Sequence, residues 1–401
     1  EELCPDGVEY VFLESVLISL KTGLNPRKNF ALNTVDAMNY YVTVREIING
    51  KIVFSEKTDK VNNEGLSLIN NRSNLEKGDI LFSGTGTVGR TAILEDNPLN
   101  WNIKEGIYSI KPNQEIILSR YLGYLLNSYD ICNLYSKKIV GSPVCSLPMA
   151  ELKQLQIPLP PLPVQEEIVR ILDNFTELTA ELTAELTARK KQYDYYRNSL
   201  LSESELCTDG VEYRKIKDCF QRLRGTAITA GKMKEIECEA GEIRVFAGGK
   251  TVVNANEKDI PNANIIRVPA VFVQSRGVID VIYFEKPFTF KNEMWAYTHS
   301  EKTTVKYLFY FLKNNIQQFR SSASGMGSLP QISLPVTEDF LIPIPPLKEQ
   351  ERIVAILDKF DTLTTSINEG LPAEIEARKQ QYEYYRDNLL NFKKIDIEVL
   401  I

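Results

Sequence analysis

The 401 residues predict an α+β chain written twice: two similar mixed α/β modules, each leading into one long amphipathic helix. Three echoes carry that reading. CPDGVEY (residues 4–10) returns as CTDGVEY (207–213), IPLPPLPVQEEIVRILDNF (157–175) as IPIPPLKEQERIVAILDKF (342–360), and ARKKQYDYYRNSLL (188–201) as ARKQQYEYYRDNLL (377–390). Text that repeats around text that does not is a constant frame holding two variable modules. The expected boundaries are 1–155 for the first module, 156–206 for the first helix, 207–341 for the second module and 342–401 for the second helix.

Within the modules the elements follow from local pattern. GDILFSGTGTVGRTAILE (78–95) and VPAVFVQSRGVIDVIYFE (268–285) each read as strand, glycine turn, strand. SRYLGYLLNSYDICNLY and TVKYLFYFLKNNIQQF have helical periodicity and lead towards each Pro-Pro-Leu. After Pro163 the apolar residues Ile168, Leu172, Phe175, Leu178, Leu182, Leu186, Tyr193, Tyr196 and Leu200 recur at steps of three, four or seven. That stripe predicts a helix of roughly 40 residues, about 60 Å long. A helix of that length needs a partner, and the helix after Pro346 is the natural one. Gly370 and Pro372 predict a kink or break in this second helix.

Charge separates by segment. The whole chain carries 47 Lys+Arg against 53 Asp+Glu. Counted along the sequence, the values are 16 against 18 for 1–155, 5 against 9 for 156–206, 18 against 15 for 207–341 and 8 against 11 for 342–401. The acid excess is greatest in the helical segments, so the net charge of −6 does not exclude a polyanionic partner for the modules. Six scattered cysteines and a lone His299 predict buried free thiols and no metal centre. No secretory signal or membrane span is evident, which predicts a cytoplasmic protein.

Catalytic motifs fail on context. GTGTVG matches a dinucleotide fingerprint, but the residues after it are β-branched and soon broken by Pro98, so a hairpin turn is the better reading. GGKT (248–251) lacks both the first glycine and the helix of a phosphate loop. NPLN (97–100) lacks the second proline and the aromatic of the amino-methyltransferase motif it superficially matches. No catalytic residue and no cofactor is expected.

Binding signals are better. Basic, glycine-bearing loops open the modules, with Lys21, Arg27 and Lys28 in the first and Arg222, Arg224, Lys232 and Lys234 in the second. A second polar loop precedes each long helix, with Lys137, Lys138 and Ser142 in one module and Ser321, Ser322 and Ser324 in the other. Lys250 adds a flexible cation, and Thr85, Thr87 and Arg90 lie on the first glycine turn. Clustered cations with small polar residues suit DNA phosphate contact, and Gln274 and Arg276 have the groups that read adenine and guanine edges.

The Pro-Pro-Leu entries, the repeated L-T-A-E of the first helix and the ARKKQYDYYRNSLL and ARKQQYEYYRDNLL phrases closely resemble the DNA-specificity subunit of type I restriction-modification systems, over the entire chain. The resemblance implies two target-recognition domains separated by two long antiparallel coiled-coil helices with internal pseudo-two-fold symmetry. It implies a non-catalytic subunit whose domains each read half of a bipartite, asymmetric double-stranded DNA site. Its helices would set the spacer and dock two methyltransferase subunits, with restriction subunits in the full complex. Tyr195 and Tyr384, off the apolar stripe, are the candidate partner-binding residues. A pseudo-dyad also predicts that the chain termini meet. The rival readings are a two-headed protein adaptor and an enzyme that uses the glycine loop.

Overall fold

The computed structural model describes residues 4–27, 29–202, 206, 211–248, 251–324, 329–366 and 368–395. The chain divides into two compact units, 1–181 with 375–401, and 182–374. Both divisions fall inside the long helical segments, so each unit holds one module, the start of its own helix and the end of the other helix.

In the first unit, strands β1 (Leu17–Thr22), β2 (Ile80–Ser83), β3 (Thr91–Ile93) and β4 (Ile107–Pro112) form an antiparallel sheet of order β1-β4-β2-β3. The expected hairpin is β2–β3, with Ile80 opposite Ile93 and Phe82 opposite Thr91. Every residue of β2 is buried because the sheet is covered on both faces. Ile80 and Phe82 enter the core beneath helix α1 (Ser119–Leu126), while Leu81 enters a second core with Ala92, Ile103 and Ile107. Two covered faces explain why the strand reads as an unbroken apolar run instead of an alternating one.

The second unit repeats the plan with β5 (Gln221–Arg224), β6 (Ala270–Gln274), β7 (Asp280–Phe284) and β8 (Trp295–Thr298) in the order β5-β8-β6-β7. Val271 and Val273 pack on one side and Ala270 and Phe272 on the other. The alternation has the strand period of two.

The first long helix is continuous from Leu162 to Leu200, 39 residues, and the second is two helices, Leu347–Thr365 and Gly370–Leu389. The break lies where Gly370 and Pro372 predict it. Gly370 adopts φ +78°, and a Cβ there would sit 2.5 Å from the Thr362 carbonyl oxygen, so glycine is required. The frame copies differ here, with twelve residues between Phe175 and Ala188 but sixteen between Phe360 and Ala377. In the second copy five helical residues follow Phe360 and seven precede Ala377, so the helical count is again twelve. The difference of four matches the interval between Thr365, where one helix ends, and Gly370, where the next begins.

Each helix root is fixed in the same way. The Gln165 side chain is fully buried; its Nε2 donates to the Pro160 carbonyl at 2.8 Å, and Gln350 Nε2 donates to Pro345 at 2.8 Å. The Tyr121 hydroxyl donates to Pro158 and that of Tyr307 to Pro343. Asp173 accepts from Tyr124 and pairs with Arg120, as Asp358 accepts from Tyr310 and pairs with Lys306. Phe175 stacks on Tyr385 at 5.3 Å in the first unit, and Phe360 on Tyr196 at 5.5 Å in the second. Early residues of one helix therefore meet late residues of the other, which is antiparallel pairing. Aromatic pairs of this kind contribute about 0.5–1.5 kcal/mol beyond their buried area.

The described ends of the chain meet in the first unit. Val8 N donates to the Lys393 carbonyl at 2.8 Å, Ile395 N to Val8 at 3.1 Å, and the Tyr10 hydroxyl to Phe392 at 2.9 Å.

Candidate nucleic-acid interface

In each unit the structure ties the glycine turn to the second polar loop. In the first, Gly86 N donates to the Cys145 carbonyl at 2.8 Å, Leu147 N to Gly84 at 2.8 Å, and Thr85 bridges Ser146 through backbone and hydroxyl, with Oγ1 3.2 Å from Ser146 Oγ. In the second, Gly277 N donates to Pro330 at 2.8 Å, Ile332 N to Ser275 at 2.9 Å, and Arg276 bridges Gln331. Gly86 and Gly277 both turn through the left-handed region, at φ +84° and +80°, where a side chain is disfavoured. The two sites are one backbone construction. Thr85 and Ser146 stand where Arg276 and Gln331 stand in the other copy.

The predicted residues distribute unevenly around this construction. Thr87 is exposed on the turn and Ser142, Lys137 and Lys138 are exposed on the facing loop, Lys138 paired with Glu151 at 2.5 Å. Arg90 is anchored through Nη1 on the Val44 and Ile47 carbonyls and lines, with Arg45 and Asn127, an open cleft of about 620 Å³. Arg276 is exposed beside Ser324, whose backbone pairs with Gln331; Ser321 and Ser322 are exposed at the helix end before it. Among the described residues Lys137 and Arg276 have no ion-pair partner, which leaves both charges available to an anion.

Other candidates sit elsewhere. Lys21 is half-buried on β1 opposite Ser109; Glu76 is held below its usual carboxyl range by Lys111 first and more weakly by Lys21. Arg27 is exposed in its loop; Arg224 is exposed at the end of β5, and neither has an ion-pair partner among the described residues. Arg222 is paired with Glu338 at 2.9 Å and Lys232 with Glu235 at 3.2 Å, whereas Lys234 is exposed. Gln274 is 6% exposed at the end of β6, facing the core side of the site rather than solvent, because the doubly covered sheet extends through it. Lys28 and Lys250 lie outside the described residues.

Ser146 and Gln331 escape a reading of the sequence because they lie 61 and 55 residues from their partners on the turn. The shared SLP phrase also misleads: it recurs twice in the second module, at 328–330 and 333–335, whereas the hydrogen bonds align Ser146 with Gln331 between them. The cysteines depart from expectation too. Cys145 is exposed on the loop itself, and Cys4, Cys132, Cys219 and Cys238 are only partly buried. Tyr195 and Tyr384 are 68% and 66% exposed, each edge-on to its neighbouring tyrosine at 5.5 Å.

Two paired loops with unlike side chains thus stand on one repeated frame, and comparison with known proteins gives that frame a family. The family model described as the type I restriction modification DNA specificity domain matches residues 5–189 and again 208–377. The chain belongs to this family. Its role is accordingly DNA sequence recognition within a restriction-modification system, as the specificity component and not the catalytic one. It is 40% identical to the Escherichia coli EcoR124I/EcoR124II specificity subunit over 263 residues, 60% of this chain and 64% of that subunit. A putative type I restriction enzyme specificity subunit of Haemophilus influenzae is 33% identical over 75% of this chain and 80% of its own. The fold matches the crystal structure of a type I S subunit from M. genitalium with TM-score 0.57 at 17% identity, covering 96% of both chains. A second structure, from work on assembly and conformational transition of the type I system, matches with TM-score 0.57 at 18% identity over 96% of this chain and 98% of that one. No described helix is long and apolar enough to cross a membrane.

Proposed function

We propose that each module is a target-recognition domain reading one half of a bipartite, asymmetric double-stranded DNA site. The domains would be 1–155 and 207–341, and the helices 156–206 and 342–401 the spacer. The observation that carries this is the identity of backbone and difference of side chain at the two turn–loop sites. An invariant frame presents Thr85 and Ser146 in one unit and Arg276 and Gln331 in the other. Arg and Gln have donors matched to guanine and adenine edges, whereas hydroxyls accept or donate to several bases. Thr87, Lys137, Lys138, Ser142, Ser321, Ser322 and Ser324 surround these sites as phosphate contacts. Arg27, Lys28, Arg224, Lys234 and Lys250 supply further cations towards the backbone, which fixes position more than sequence.

The repeated scaffold docks two methyltransferase subunits, with restriction subunits joining the full complex in the cytoplasm. Tyr195 and Tyr384 anchor them: exposed aromatics at equivalent positions of two frame copies suit two copies of one partner. The L-T-A-E phrase acts as a ruler, since four residues advance a helix about 6 Å and turn it about 40° past a full circle. Sequencing of methylated bases in DNA exposed to the assembled methyltransferase tests the function. A bipartite motif is the expected result; an active complex that methylates without one would overturn it.

A further inference from the structure

Val144 and Leu329 occupy the same backbone position in the two units. Val144 precedes Cys145, whose carbonyl accepts from Gly86, and Leu329 precedes Pro330, whose carbonyl accepts from Gly277. Both side chains stand in solvent, 61% and 63% exposed. Around them the modules have diverged: hydroxyl against guanidinium on the turn, serine against glutamine on the loop. A branched aliphatic side chain persists at the exposed tip of both. Val140 in the first loop, 55% exposed, and Val278 in the second turn, 41% exposed, extend the apolar tips.

A Val or Leu side chain left largely in water forgoes most of the stabilisation that its burial would bring. Recurrence of that loss at one position in two unlike modules points to an apolar group that covers the tip when the protein is engaged. The tips adjoin Thr85 with Ser146 and Arg276 with Gln331, so the covering group belongs to the surface those residues meet. On the major-groove floor of double-stranded DNA the apolar group is the thymine C5-methyl. We propose that Val144 and Leu329 each pack against a thymine methyl within the half-site of their own module. The hydrogen-bonding neighbours then read donors and acceptors while the aliphatic tip reads the methyl group.

The inference rests on the DNA-reading function, and the experiment separates the two. The chain is assembled with its methyltransferase subunits and its site defined by sequencing of methylated bases. Affinity is then measured on duplexes in which each thymine of the site is replaced singly by deoxyuridine, which lacks the methyl and keeps the base-pairing edge. For the unaltered protein, one replacement in each half-site is expected to weaken binding about fourfold, the worth of one buried methyl. Val144→Ser should weaken binding to the all-thymine duplex and abolish the penalty at one position in one half-site; Leu329→Ser should do so in the other. Unchanged deoxyuridine penalties in both variants would overturn the proposal. So would variants that shed methyltransferase subunits in size-exclusion chromatography, which would assign the tips to a protein interface. Failure of the unaltered complex to recognise any site would remove the DNA reading itself.

Discussion

The two helix roots offer an internal comparison in which the same residue has different surroundings. Gln165 Oε1 accepts from Leu118 N at 2.9 Å, and its Nε2 donates to Ile116 as well as Pro160, at 3.0 and 2.8 Å. Gln350 keeps the bond to Pro345, but its Oε1 is buried with no hydrogen-bond partner among the described residues. Gln165→Leu would strand one amide and two carbonyls in a buried site. At about 1–3 kcal/mol for each buried polar group left unpaired, and with some relief from relaxation, the expected loss is about 2–4 kcal/mol. Gln350→Leu strands one carbonyl and removes an acceptor that is already unsatisfied, so its expected cost is about 0–1 kcal/mol. Urea unfolding of the two variants, with hydrogen exchange to locate the destabilised unit, measures the difference. Equal losses, or a larger one for Gln350→Leu, would refute the claim that the first root is held by its hydrogen bonds.

Deleting residues 178–181 removes one L-T-A-E unit and should shorten the unread spacer of the methylated motif while both half-sites stay the same; altered half-sites would refute the ruler. Tyr195→Ala and Tyr384→Ala should each weaken uptake of one methyltransferase subunit by about tenfold, a typical loss for an interface anchor; native mass spectrometry would reveal it, and full occupancy in the double variant would refute the assignment. Asp79 is raised above its usual carboxyl range by burial, despite an amide donor from Glu76 and the nearby Lys111. A carboxyl whose folded pKa is raised burdens the fold above that pKa and is free of the burden below the unfolded one. Asp79→Asn should therefore gain stability relative to the unaltered protein as pH rises from 3.8 through the raised value, and unfolding at several pH values would show the opposite slope if the Lys111 pairing outweighed burial.

The repeated frame was legible because its signals are local and written twice. Helix entry at Pro-Pro-Leu, the apolar stripe and the break at Gly370 all follow from adjacent residues. The hairpins followed from glycine between apolar runs. What escaped depends on pairing across distance. No local signal told that Gln274 is buried, since a two-sided sheet hides its last residue as thoroughly as its middle. Arg222 looked like a free cation until Glu338, 116 residues away, neutralised it. The turn and the loop were each visible, but not that Thr85 touches Ser146 or Arg276 touches Gln331.

The boundaries of the compact units do not coincide with those of the repeat, since each unit borrows the end of the other's helix. The borrowed contacts, Phe175 with Tyr385 and Phe360 with Tyr196, lie wholly within repeated text. For inheritance this amounts to a standard coupling. If each module is a target-recognition domain, as proposed, a recombination event that exchanges one between Gly-Val-Glu-Tyr and Pro-Pro-Leu brings in a new reading head without disturbing any of those stacking partners. New specificity would then arise by exchange of whole segments, provided each incoming module keeps the root contacts that Tyr121 and Tyr124 make in the first unit and Tyr307 and Tyr310 in the second.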